Sequence, residues 1–495
     1  MNQRLRGYIG DQPFILNYED EQSPSTIAFR ARAGGAEAPN PSGSFTYCDI
    51  GCGRGVTITT LAAANPQAEF IGIDPNPEHI REARAWAEAA GLTNIRFIEN
   101  FIGKLGPDDL PALDFITANG VYSCIDVEEH ARLRKQAARF LAPGGLFQVS
   151  YNIAAGCTQM EPLRRMMLRL AERAEGNLAE KRGAAVQTIQ NMAQAGHPFF
   201  EINPKAREIV GDWARRDIKL LAHTYFHADW HLHDPAEIIE LFDEEGLGFC
   251  GPWDLDLMPV SQRRSFAAGH DPVLREALAA TMRADTYRAD VFRKGAPLTG
   301  AESPALDDDM LFGPATAPAL VGDPKEAGAD EIAAFILEQG VATYGEIRDR
   351  FSNHDADERH IAGRIGRLIR SAWIRRYLSR PESGAKEEPV KPALTLIGVL
   401  GENPEFVSNG AFVPAPAVGG GVFVPAMMLV LLTTADGPEA QWSRRAVERI
   451  CAINRKAGRA EGDRNALAGR VTDGIARFKR NWAPFLTGVG AARKV

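Results

Sequence analysis

The sequence predicts an α/β fold with a mainly parallel sheet wrapped by helices, and three observations carry that prediction. First, Asp49-Ile50-Gly51-Cys52-Gly53-Arg54-Gly55 is a glycine-rich turn between an apolar run at 45–50 and a helix-like run at 56–64. Second, the short apolar run 70–73 ends in an acid, Asp74. Third, strand-like and helix-like segments alternate from residue 45 to residue 151.

The elements follow in order. A helix is expected over 77–90, opened by Pro77 and stopped by Gly91. A strand at 94–98 leads into Asn100-Phe101, and another at 113–118 ends in Asn119-Gly120-Val121-Tyr122. A helix over 127–141 stops at Pro143-Gly144-Gly145, and 146–151 is a fifth strand. Ligands on such sheets bind outside the carboxyl ends of the strands, where Asp49, Asp74, Asn100 and Asn119 all stand.

Beyond the core (1–155), helices at 161–174 and 177–193 predict a helical insertion or lid over 156–219, its methionines filling apolar space. Asp234-Pro235-Ala236-Glu237 is a helix start, and with a strand at 247–250 it places completion of the sheet in 220–297. Residues 298–329 read as a linker rich in Pro, Gly, Ala and Asp. Helical stretches at 330–338, 343–351 and 357–377 suggest a winged-helix-like module over 330–381. Its third helix carries Arg364, Arg367, Arg370, Arg375 and Arg376, which leaves DNA contact and protein contact both open. A charged hinge at 382–391 precedes a small C-terminal domain, so that the last unit runs over 382–495.

Composition bounds the function. A chain of 495 residues exceeds one core, and 45% apolar with 24% charged residues is ordinary for a soluble protein. The net charge of −8 argues against broad nucleic-acid affinity. From Gln441 onward, Lys and Arg outnumber Asp and Glu thirteen to four, which fits solvated helix faces or a docking surface for an acidic partner. Six scattered cysteines without a CxxC pair indicate reduced thiols and a cytoplasmic location. The start lacks a secretory pattern, and 419–434, broken by Pro425, reads as buried strand and not as a membrane span.

The glycine turn implies an adenosine-containing cofactor. A dinucleotide site wants glycine at the sixth position of the turn, where this chain has Val56. Glycines at 51, 53 and 55 beside Asp49 suit a cofactor without pyrophosphate and with positive groups, namely S-adenosyl-L-methionine. On that reading Asp49 and the backbone of Gly51, Gly53 and Gly55 hold the methionine part, and Asp74 accepts from the ribose hydroxyls. Pro75 and Phe101 flank the adenine, with Asn100 at its edge. Asn119, which also borders the cofactor, and Tyr122 are candidates for the acceptor side, with Tyr18 and Tyr151 behind them. Asn119-x-x-Tyr122 also has the spacing found in amino-methyltransferases of nucleic-acid bases, although Gly-Val replaces their Pro-Pro. His223, His227, His231, His233 and Asp229 could line a polar pocket or ligate a metal; no metal is expected, because methyl transfer needs none.

These motifs resemble those of class I S-adenosylmethionine-dependent methyltransferases, whose sheet is Rossmann-like. More narrowly, three stretches resemble a bacterial branch with a methyltransferase regulatory domain, which includes lysine methyltransferases of outer-membrane proteins in rickettsiae. They are LDFITANGVYS at 113–123, LAPGGLFQVSYN at 141–152 and TYRADVFRKG at 286–295. The branch usually has His where Asn119 stands, Trp where Cys124 stands, and Pro-Gly-Trp where this chain reads Ala155-Gly156-Cys157. The resemblance covers residues 14 to about 297 and implies methyl transfer to a protein lysine. The departures gather at the expected acceptor mouth, so a small-molecule acceptor stays open. So does a sensor or scaffold that binds the cofactor and acts through its C-terminal region. A homodimer is compatible with the sequence.

Overall fold

The computed structural model describes residues 14–252, 271–295, 306–317, 330–352, 358–380, 391–435, 438–459 and 463–492. Its centre is a seven-stranded sheet in the order β3-β2-β1-β4-β5-β7-β6. The strands are β1 (Thr46–Ile50), β2 (Glu69–Asp74), β3 (Ile95–Glu99), β4 (Leu113–Ala118), β5 (Leu141–Asn152), β6 (Leu247–Pro252) and β7 (Tyr287–Lys294). The first five run parallel, while β7 pairs antiparallel with both β5 and β6. The start of β7 therefore lies at the carboxyl end of β5, with Tyr287 opposite Asn152. The strand order reverses between β1 and β4, which puts the crevice of the sheet there, the place where such folds take ligands.

Three N-terminal helices set the site. α1 (Pro24–Ala33) follows an N-terminal strap that ends in a single 3-10 turn at Asp20–Gln22, α2 (Val56–Ala64) follows the glycine turn, and α3 (Pro77–Ala89) starts behind the cap Asn76, whose side chain accepts from Glu78 N at 3.0 Å. All nine residues of α2 are buried. A helix of small and apolar residues all round needs cover on every face. The sheet covers one side. The other packs against a helix at Lys391–Leu400 and the hairpin of β11 (Ala411–Ala415) and β12 (Gly420–Val424). Consequently one hydrophobic core runs from Phe45 and Leu61 through Leu396, Val413 and Val422 to Trp482.

Helices at Glu161–Arg173, Leu178–Gln194, Pro204–Asp212 and Ile218–Tyr225 stand between β5 and β6 on their own core around Met160, Met167 and Ile189. The helix predicted after Asp234 is present at Pro235–Asp243, with the Asp234 carboxylate accepting from Ala236 N at 2.7 Å.

Several expectations change. Within the stretch read as linker, β8 (Leu311–Pro314) is a strand, because it pairs with β9 (Ala342–Thr343) and β10 (Ile374–Tyr377) in a three-stranded sheet. The helix expected over 357–377 ends at Arg370, since Ala372 takes a left-handed φ of 57° and turns the chain into β10. The arginines of this region are partly turned inward: Arg364 pairs with Asp330, buried Arg375 lies 3.3 Å from Asp20, and Arg376 donates to Ser25 O. The stretch 419–434 is half strand and half helix, Ala426–Thr434, and among the described residues no helix is long and apolar enough to cross a membrane. The expected hinge lies almost entirely outside the described residues.

A shared core predicts shared unfolding. Leu396→Ala should cost about 2–5 kcal/mol and lower amide-exchange protection in α2 as much as in β11 and β12. Loss of protection confined to the C-terminal hairpin would show that the two parts unfold separately.

Candidate active site

A cavity of about 900 Å³ opens at the carboxyl ends of β1, β2 and β4. Among its lining residues are Asp49, Gly51, Gly53, Gly55, Asp74, Pro75, Asn100, Phe101 and Asn119, so the cofactor residues read from sequence meet in one place. The three glycines all have left-handed φ, at 76°, 53° and 79°. Their reasons differ. A Cβ on Gly55 would sit 2.5 Å from the Ala83 Cβ, so that glycine lets α2 and α3 pack closely. A Cβ on Gly53 would meet nothing within 4 Å, because it faces the open cavity. A ligand backbone-close at Gly53 would fill that space.

Asp74 ends β2 with one carboxylate oxygen accepting from Gly53 N at 2.9 Å and the other from Asn76 N at 2.8 Å. It ties the glycine turn to the strand end and still faces the cavity. Asp49 is held only by neutral donors at one oxygen, Gln22 Nε2 and Thr117 Oγ1, each at 2.8 Å. Burial pushes its carboxyl up to about 7; the two hydrogen bonds oppose that shift and the charge of Asp74 adds to it. Glu19 is pushed up to about 8 by burial and by Glu21, Asp20 and Asp49. This wall is short of positive charge.

The strap supplies what sequence reading missed. Asn17, Glu19, Glu21 and Gln22 line the cavity, and Glu19 N donates to Thr57 Oγ1 at the start of α2. Tyr287, from the start of β7, donates to Asn119 Oδ1 at 2.8 Å and lies 3.2 Å from Glu21 Oε1. The one legible signal was the acidic run Glu19-Asp20-Glu21 just ahead of the helix start Ser23-Pro24.

Two candidates are corrected. Tyr18 does not line the cavity. Side chains of an extended strap alternate, so Asn17 and Glu19 face the cavity while Tyr18 faces the C-terminal hairpin. There its ring stacks on Phe412 and its hydroxyl accepts from Gly421 N at 2.7 Å. Tyr122 is also buried away from the cavity. After the left-handed Gly120, a short turn at Tyr122–Cys124 swings its ring onto His130 at 4.4 Å, and its hydroxyl accepts from Arg134 at 2.7 Å. Val121, Ser123 and Cys124 face the cavity instead. Tyr151 borders it but donates to Asp290 at 2.6 Å.

The insertion covers the cavity, with Lys205, Asp212, Trp213, Leu221, His223 and His227 on its roof. Phe14 of the strap meets the edge of His223 at 5.1 Å. The histidines divide into two sets: His223 with His227, and His231 with His233 packed around His130. Burial pushes His227 and His233 down to about 3 and holds them neutral. Among the described residues, no group of three His, Cys, Asp or Glu is placed to hold a metal.

Part of the chain is similar to known proteins. A family model described as a methyltransferase domain matches residues 42–196. A trans-aconitate 2-methyltransferase of Methylobacterium nodulans is 34% identical over 25% of this chain and 43% of its own length. Residues 42–196 thus carry a methyltransferase domain. The cavity fits S-adenosylmethionine as the cofactor of such a domain, with an open cradle at Gly53 and a carboxylate wall suited to a cation. An uncharacterized protein of Synechocystis is 28% identical over 58% of the chain and 58% of its own length. The fold is shared further: the structure of PKMT2 from Rickettsia typhi in complex with AdoHcy superposes with a TM-score of 0.68 at 14% identity, over 94% of this chain and 98% of that one.

The Asp49 carboxyl gives a pH prediction. A cationic ligand favours the ionised form, so affinity for S-adenosylmethionine should be full above about pH 7 and fall up to roughly ten-fold per unit below it. Titration calorimetry in buffers of different ionisation heat should show proton release near pH 6.5. Asp49→Asn should bind at least about ten-fold more weakly and lose that dependence.

Proposed function

We propose that the protein is a methyltransferase that transfers the methyl group of S-adenosylmethionine to a protein lysine. When bound, the cofactor supplies a methyl group on a positively charged sulfur with a good leaving group. What remains for the chain is to hold an acceptor in line, keep water out and accommodate a proton. In this reading Asp49, Gly53 and Asp74 bind the cofactor, with Pro75, Asn100 and Phe101 around the adenine. Strand order leaves the other side of β1, at the ends of β4, β5 and β7, to the acceptor.

The observation that carries the amine acceptor is the charge of the cavity as a whole. Glu19, Glu21, Asp126, Glu129, Glu208 and Asp212 border it. Of the Lys and Arg side chains among the described lining, Arg54 pairs with Glu82, Lys205 with Glu208 and Arg216 with Asp212, while Glu129 pairs with Arg132 behind the wall. A wall of this sign attracts an ammonium and repels a carboxylate acid. The Rickettsia typhi protein of like fold supports the same class, whereas the trans-aconitate enzymes point to a small acid. The winged-helix-like module and the C-terminal domain, in this reading, regulate the site by holding the strap that forms one of its walls.

Radiolabelled methyl transfer tests the proposal with a library of lysine-containing peptides and, separately, trans-aconitate. Label in the peptides that is lost when their lysines are dimethylated beforehand is expected. Label in trans-aconitate alone would replace the amine by a carboxylate acceptor, and cofactor binding without any transfer would favour a sensor. Asp74→Ala should abolish measurable cofactor binding, and retained affinity would contradict the ribose role.

A further inference from the structure

Glu21, Tyr287 and Asn119 come from three distant parts of the chain and meet at one point of the cavity wall. Asn119 directly follows β4, Tyr287 begins β7 and Glu21 lies on the strap. The Tyr287 hydroxyl sits between them, donating to Asn119 Oδ1 at 2.8 Å and lying 3.2 Å from Glu21 Oε1. Backbone packing fixes the arrangement from below, because Gly120 N donates to Ser150 Oγ at 2.7 Å and Tyr287 pairs with Asn152 across β5 and β7. We propose that these three residues dock the acceptor amine, with Glu21 taking its proton. This rests on the amine-acceptor reading above.

The chemistry follows from protonation. A lysine amine arrives as an ammonium, since its ordinary pKa is about 10.4, and an ammonium has no lone pair to attack with. Glu21 Oε1 and Asn119 Oδ1 are acceptors only, so each can take an N–H of the incoming group. The proton moves from nitrogen to the Glu21 carboxylate. The freed lone pair forms the new N–C bond as the C–S bond breaks, its electron pair going to sulfur, and the positive charge ends on the methylated amine. Tyr287 is a positioning residue, because its one hydroxyl proton holds Asn119 Oδ1 while its oxygen sits between that atom and Glu21 Oε1.

The surroundings suit a proton acceptor. Burial raises the Glu21 carboxyl, with Asp20 adding to the shift, while Arg30 of α1, Tyr287 and Asn119 restrain it; Glu19 is the other acid facing it along the strap. A carboxyl shifted toward neutrality matches a general base better than one at the usual value.

The test uses the full-length protein and a lysine peptide that accepts label. Glu21→Gln should lower kcat/KM at pH 7.5 by about 100-fold, leave the Kd for S-adenosylmethionine within about two-fold, and recover toward wild type at pH 10, where the amine is free without help. Tyr287→Phe should raise the peptide KM and lower kcat by about ten-fold without changing the pH profile. As a readout apart from turnover, n-butylammonium should bind the protein saturated with S-adenosylhomocysteine at least about ten-fold more weakly in Glu21→Gln. Wild-type rate in Glu21→Gln, or a loss equal at all pH values, would overturn the assignment while leaving the amine acceptor standing. Failure of the wild type to label any lysine peptide would remove both.

Discussion

Burial of several carboxylates in one sheltered cavity is the constraint on which the rest of the site depends. Asp49, Glu19 and Glu21 share a wall, and neither hydrogen bond to Asp49 carries a charge. Removing such groups from water is costly unless something positive joins them. In the proposed function that role falls to the ligands: a cationic cofactor on one side of β1 and a cationic acceptor on the other would each relieve the same excess, so one electrostatic feature would attract both.

The strap is where this feature is anchored. On its cavity side it presents Asn17, Glu19, Glu21 and Gln22. On the other it is bound to residues some four hundred positions away: Tyr18 accepts from Gly421 N, Ser23 donates to Gly419 O and Ser25 to Val418 O. Asp20 faces Arg375 of β10 at 3.3 Å. One short segment therefore forms a wall of the pocket and a floor for the C-terminal hairpin at once.

That double role explains what sequence could and could not tell. The glycine turn, Asp74 at a strand end and the alternation of strands with helices are local patterns, and each stands in the structure where the sequence puts it. Tyr18 and Tyr122 looked like site residues because tyrosine near a strand end is chemically apt. Their burial depends on partners no local pattern contains, Phe412 and Gly421 for the first, Arg134 and His130 for the second. Tyr287 stood inside a recognised stretch, yet only the antiparallel pairing of β7 brings it to Asn119. β8 was hidden for the same reason, being four residues whose strand character comes from β9 and β10.

The burial of α2 has a consequence for how this protein is made. The helix directly behind the glycine turn is covered on its far side by residues of the 391–424 region, themselves packed against Trp442 and Trp482. During synthesis from the N-terminus, that apolar flank stays bare until residues 391–424 have left the ribosome. Assembly of the crevice thus waits on that distant segment, and a product terminated ahead of it would present a sticky surface in place of a working pocket.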